Sequence, residues 1–151
     1  MAKNEKLRTK DIAELLQPLL VDLIALAANG KQAHWHVRGR TFTQVHEQLD
    51  NIIDDARNYA DNVAERVVAL GVEMDGRPGT VAQTSSVPTF AAGFLETDAV
   101  VPAVIEQLDA VIDTARKTLE PLDDWDLPTQ DVVIELLRGL EKHRWMMRAQ
   151  T

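Results

Sequence analysis

The sequence predicts an all-α protein, a bundle of four amphipathic helices with one long crossover between the second and the third. Three observations predict it. Four segments repeat apolar residues at helical spacing, and no segment alternates apolar and polar residues as a half-buried strand would. The stretch 71–96, containing "GRPGTVAQTSSVP", concentrates Gly, Pro, Ser and Thr in the middle of the chain and reads as a connection.

The first helix runs from about Asp11, with Ile12, Leu15, Leu16, Leu19, Leu20, Leu23, Ile24 and Ala27 on one stripe. Thr9 is placed to cap its start, and Pro18 is expected to kink it or delay it. The second helix begins near Thr41, where "TFTQ" fits a capping box between Thr41 and Gln44. It carries Val45, Leu49, Ile52, Ile53, Ala56, Ala60, Val63 and Val67 and stops at Gly71. The connection that follows has room for one short helix. The third helix runs from about Asp98 to Leu119 on Val101, Ile105, Leu108, Val111, Ile112 and Ala115, with Pro121 as its expected end. After the acidic turn "DDWDLPTQD", the fourth runs from about Pro128 to Arg148 on Val132, Val133, Leu136, Leu137 and Leu140. Four helices with a single long crossover is the order of a ferritin-like bundle.

Composition narrows the function classes. The chain has 151 residues, 45% apolar and 26% charged, as expected of one soluble globular domain over 1–151. There is no cysteine, which removes disulfides, thiolate metal sites and cysteine nucleophiles. No apolar run spans a bilayer, and residues 1–30 lack the order of a signal peptide. The expectation is a cytoplasmic protein with no membrane partner. A net charge of −8 argues against nucleic-acid binding over the whole surface and suits attraction of cations.

The histidines are unevenly spread. "KQAHWHVRGRTFTQVHEQLD" (31–50) holds His34, His36 and His46, three of the four in the chain. With His46 set at zero on the second helix, Asp50 falls at roughly 40°, Asp61 at roughly 60° and Glu65 at roughly 100° around the axis. The apolar stripe centres near roughly −80°. These four side chains therefore share a stripe that points toward a neighbour and away from their own core. His46/Asp50 and Asp61/Glu65 are each i,i+4 pairs, set roughly 22 Å apart along the helix and too far for one metal centre. They are also placed symmetrically about residues 55–56. An antiparallel two-fold crossing there would bring His46 against Glu65 and Asp50 against Asp61 of a second copy, making two identical sites. His34, across a short turn, would join His46. A solvated acidic helix flank explains the same acids, and geometry alone leaves both readings open. A di-iron site inside one bundle is a poorer fit, because it wants Glu-x-x-His on two helices. The residues three before the histidines are Lys31, Ala33, Thr43 and Leu140.

The stretch 31–50 followed by "DNVAER" resembles the ferroxidase signature of the Dps family, the mini-ferritins (DNA-binding proteins from starved cells). The resemblance covers His34, Trp35, Gly39, Phe42, His46, Asp50, Asp61, Glu65 and Arg66, and the helix order agrees over nearly the whole chain. It implies a hollow dodecamer with iron sites at two-fold interfaces. His34, His46 and Asp50 would come from one subunit, and Asp61 and Glu65 from its partner. It further implies oxidation of Fe(II) by hydrogen peroxide, ferric mineral stored in the cage, and protection of DNA from oxidative damage. Imidazole and carboxylate ligands without thiolates suit Fe(II). Trp35, beside a ligand, is the candidate electron source for quenching stray oxidising equivalents, with an interface anchor as the alternative. His36 faces away from His34 and is left out of the site. Pores at three-fold axes would be lined by acids at the start of the last helix, with Asp126 and Asp131 as candidates. Asp126 as a plain helix cap is the alternative.

The sequence departs from the family's name in one respect. Binding of DNA in this family relies on a lysine-rich tail, whereas residues 1–9 offer only Lys3, Lys6 and Arg8 against Glu5, which implies at most weak binding. Two other function classes stay in view: a nucleoid DNA-compacting protein, and a metal-dependent hydrolase using the same site.

Overall fold

The computed structural model describes the backbone of residues 3–151 and side chains from Arg8 onward. Five helices dominate: α1 (Lys3–His36), α2 (Phe42–Ala69), α3 (Pro78–Thr84), α4 (Thr97–Trp125) and α5 (Leu127–Arg148). Two-residue strands β1 (Val37–Arg38) and β2 (Leu95–Glu96) pair in parallel, Val37 with Leu95 and Arg38 with Glu96. The four long helices form the bundle, with α1 against α2 and α4, and α5 against α4 and α2. The short α3 rides on α1 within the crossover.

The apolar stripes build one core. All eight residues assigned to the stripe of α2 are its buried residues, and Leu16, Leu19, Leu23, Leu108, Ile112 and Leu136 are among the largest fully buried side chains. Burying each such residue contributes about 2 kcal/mol, which is enough to override weaker local signals.

Prolines show that override. Pro18 lies inside α1 and neither ends it nor delays it, and the helix begins at Lys3, well before Thr9. Pro18 is exposed, so a carbonyl freed there is solvated by water. Thr9 is buried within the helix and is not its cap. Residues 3–9 accordingly lie on α1, while the side chains of Lys3, Glu5 and Lys6 lie outside the described residues. Pro121 likewise does not end α4, which continues to Trp125. An internal proline costs about 3 kcal/mol, and the full burial of Leu122 one residue later offsets much of that.

Two local expectations at the start of α2 change. Thr41 makes no side-chain cap and sits at φ −106°, ψ 28°; the turn is closed by backbone bonds, Phe42 N to Gly39 O at 3.2 Å and Val45 N to Thr41 O at 3.2 Å. Gly39 has φ +121°, and a Cβ there would lie 2.7 Å from Glu96 Oε2. The Glu96 carboxylate is the end of a flexible side chain and can move aside, so it is the positive φ that calls for glycine at this turn. At the other end, Gly71 follows α2 with φ +85°, the expected stop.

The crossover is tied down by polar side chains on the bundle helices. Gln17 donates to Asp75 O at 2.7 Å and accepts from Asp75 N at 3.0 Å. Asp22, 1% exposed, accepts from Ser85 Oγ, Ser86 N, Ser86 Oγ and Thr114 Oγ1 at 2.6–2.8 Å. Further along, Asn29 and Gln107 both donate to Pro88 O.

Candidate metal centre

His34 lies in the last turns of α1, and His46 and Asp50 in the first turns of α2. The β1 turn between the helices brings the two histidines face to face, with ring centroids 3.7 Å apart and planes 20° apart. Each ring holds the other's backbone: His34 Nδ1 lies 3.1 Å from His46 O, and His46 Nδ1 lies 3.0 Å from His34 O. A carbonyl oxygen only accepts, so each Nδ1 carries the proton and donates it. Both Nε2 lone pairs are thereby left for a cation. Phe42 stacks on the outer side of His46 with centroids 4.9 Å apart, and His34 is buried.

Asp50 Oδ1 lies 3.3 Å from His34 Nδ1 and accepts from Lys31 Nζ at 2.9 Å. The Lys31 hydrogen bond holds the Asp50 carboxyl below its ordinary value against the opposing pull of partial burial, helped by the charge of the Lys31 ammonium. Among the described residues, His34, His46 and Asp50 form the one group of three or more such side chains able to hold a metal ion, each offering a ligand atom within 4.8 Å of the others. Two imidazoles and one carboxylate with open positions are a borderline donor set that fits Fe(II).

The other predicted ligands stand apart. Asp61 and Glu65 are exposed on the far half of α2 and do not join the triad within one chain. Asp61 lines a mostly apolar groove of about 540 Å³ with Leu20, Ile24, Ala60, Ala64 and Met74. Trp35, next to His34, is 63% exposed. His36 points elsewhere, with Nδ1 on Gln32 O at 2.9 Å and its ring edge-on to Phe94.

Asp126 caps α5. It accepts from Thr129 N at 3.1 Å and from the Thr129 hydroxyl, and pairs with Arg66 Nη2 at 2.9 Å. Burial pushes its carboxyl up, but the Thr129 and Arg66 hydrogen bonds override that and leave it lowered. Asp131 is exposed on the next turn.

Two features escaped sequence reasoning. Lys31 lies within the stretch that drew attention, three residues before His34 and so on the same helix face, and that spacing was the available signal. The second is the pairing of the fourth histidine: His143 is buried on α5, with Nε2 on Asp55 Oδ2 at 2.6 Å and Nδ1 accepting from Gln48 Nε2 at 3.0 Å. No local pattern marks it, because its partners are on α2.

The class of protein follows from this architecture: a ferritin-like bundle with an imidazole–carboxylate triad at one end of α2. The family model for the ferritin-like domain matches residues 13–151. The chain is 35% identical over 142 residues to the DNA protection during starvation protein of Mycolicibacterium smegmatis, covering 94% of this chain and 78% of that protein. It is also 35% identical over 138 residues to the fine tangled pili major subunit of Haemophilus ducreyi, covering 91% of this chain and 73% of that protein. The structure of Dps from Microbacterium arborescens in its high iron form superposes with a TM-score of 0.91 at 40% identity, covering 95% of this chain and 93% of that one. The chain belongs to the Dps family of ferritin-like proteins.

Proposed function

We propose that the protein is an iron-storage ferroxidase. It oxidises Fe(II) with hydrogen peroxide at sites shared between two subunits and keeps the ferric mineral inside a dodecameric shell, so that DNA is spared oxidative damage. The observation that carries this reading is the meeting of His34, His46 and Asp50 in one group whose possible ligand atoms lie within 4.8 Å of one another, with the two rings fixed by reciprocal hydrogen bonds to each other's carbonyls. Iron is the substrate. Two Fe(II) each give up one electron, the O–O bond of one peroxide breaks, and both its oxygens end in water or ferric oxyhydroxide. Delivering the electrons as a pair avoids hydroxyl radical.

The protein's own groups do the positioning. His34, His46 and Asp50 supply one side of the site, and Asp61 and Glu65 of the second copy supply the other. The unpartnered groove around Asp61 is apolar enough to pack against another subunit. Trp35 sits beside the site as an electron donor to stray oxidising equivalents. Asp131 is the freer of the two acids read as pore residues, because Asp126 is engaged by Arg66 and Thr129.

DNA contact is a minor part of this reading. Arg144 and Arg148, the basic end of α5, both pair with Asp109, and Arg8 lies over the Trp125 ring. Protection of DNA then comes from removing iron and peroxide together. No helix among the described residues is long and apolar enough to cross a membrane.

The deciding experiment adds Fe(II) and peroxide to the purified protein without oxygen. A soluble ferric core inside an assembly of about twelve subunits is the expected result. Rapid precipitation of ferric hydroxide outside the protein would refute the proposal. Replacing iron by zinc and finding hydrolytic turnover would favour the hydrolase, and a mobility shift that persists at physiological salt would favour DNA compaction.

A further inference from the structure

Lys31 stands among the ligands without being one. Its ammonium donates to Asp50 Oδ1 at 2.9 Å, the same oxygen that lies 3.3 Å from His34 Nδ1. The lysine side chain is 29% exposed, so it belongs to the wall of the site and is not a solvated surface charge. The carbonyl bonds require a proton on Nδ1 of both imidazoles, so the neutral form of each ring, the form that binds metal, keeps its lone pair on Nε2. With neutral rings, the triad and Lys31 together carry one negative and one positive charge.

That balance matters for a divalent cation. Within one subunit the cation finds no net negative charge, and it must take Asp50 Oδ1 from an ammonium already bound there. The matching charge sits at the other end of α2: Asp61 and Glu65 are exposed and make no hydrogen bond or ion pair among the described residues. Brought by a second copy, they would add two negative charges, matching a divalent ion, and offer the displaced ammonium a new partner.

We propose that Lys31 is a built-in counter-ion that keeps the His34/His46/Asp50 triad of a lone subunit from holding iron, so that metal is captured only where a second copy supplies Asp61 and Glu65. This rests on the shared-site reading above. Its consequence is that subunits outside the assembly do not carry loosely held, reactive iron.

Cobalt(II), which is not oxidised under the assay conditions, is the probe, and its visible absorption reports both binding and coordination. Affinities are compared for the purified native protein, Lys31→Gln, Asp61→Asn/Glu65→Gln and the triple variant, with size-exclusion and circular dichroism recorded for each. The paired acid substitutions should weaken Co(II) binding by about tenfold or more. Adding Lys31→Gln should then recover about tenfold, while in the native background it should gain only about threefold. Lys31→Arg, which keeps the charge, should recover nothing. If the acid variant dissociates into smaller species, the same comparison reads the lone subunit directly. A triple variant that binds no better than the acid variant overturns the role of Lys31 and leaves the shared site standing. An acid variant that binds Co(II) like the native protein overturns the shared site, and the proposal with it.

Discussion

The two ends of α2 carry the same kinds of side chain and are built in opposite ways. At the N-terminal end, His46 and Asp50 are engaged: His46 is locked to the backbone of His34, and Asp50 is matched by Lys31. At the C-terminal end, Asp61 and Glu65 are exposed with no hydrogen bond or ion pair among the described residues, and Asp61 lines a mostly apolar groove. On the shared-site proposal, the two ends complete each other across a two-fold axis.

The largest expected effect breaks both ends separately. His46→Ala and Asp61→Ala should each cut peroxide-driven iron oxidation by at least about a hundredfold, as loss of a metal ligand does. Refolding the two variants together should restore a measurable part of it, because hybrid pairs contain one intact site. Hybrids shown by mass spectrometry to form, yet no more active than their parents, would separate the two ends again.

Asp22→Ala should act on the Asp61 end and leave the His34 end alone. It strips the acceptor from four donors of the crossover and α4, a loss of about 2–4 kcal/mol that should lower the thermal midpoint by about 5–10 °C. Hydrogen exchange should rise around 85–88 and around the wall of the groove at Met74 and Gly76, while amides around His34 and His46 stay protected. Equal loosening at both ends would mean the bundle, and not the crossover, had failed.

Trp35→Phe is expected to be milder. Iron uptake and assembly should persist while spin trapping detects more hydroxyl radical escaping during oxidation. Dissociation of the shell with no change in radical yield would make Trp35 an interface anchor instead.

The smallest effect is a pH dependence in the crossover. Hydrogen bonds from Arg77 and then Thr80 hold the Asp75 carboxyl well below the usual carboxylate range. A carboxyl depressed in the folded state stabilises it above the unfolded value of about 3.9, and that contribution fades as pH falls through the folded value. Exchange in 75–80 should therefore quicken only in strong acid. Asp75→Asn should remove the dependence, and an unchanged acid profile in that variant would assign it to another group.

Much of this was open to reading from the chain alone. The stripe of α2 names its buried residues one for one, because helical periodicity is a local pattern backed by a large burial term. His34, His46 and Asp50 come together as spacing suggested, because they flank one short turn. What failed was also local: Thr9, Pro18, the Thr41–Gln44 box and Pro121 are weak signals of a few kcal/mol at most, and core packing outweighs them. Other features were out of reach for a different reason. The β1–β2 pair, the Asp22 tie, His143 on Asp55 and the ion pair of Arg66 with Asp126 join residues about 60 or more positions apart, and no sequence period records such a meeting. The ligand types and their spacing are sequence properties. Which nitrogen of each histidine is engaged by the backbone, and that Lys31 already holds Asp50, were decided only when α1 and α2 closed on each other and put ring nitrogens, carbonyls and an ammonium within hydrogen-bond distance.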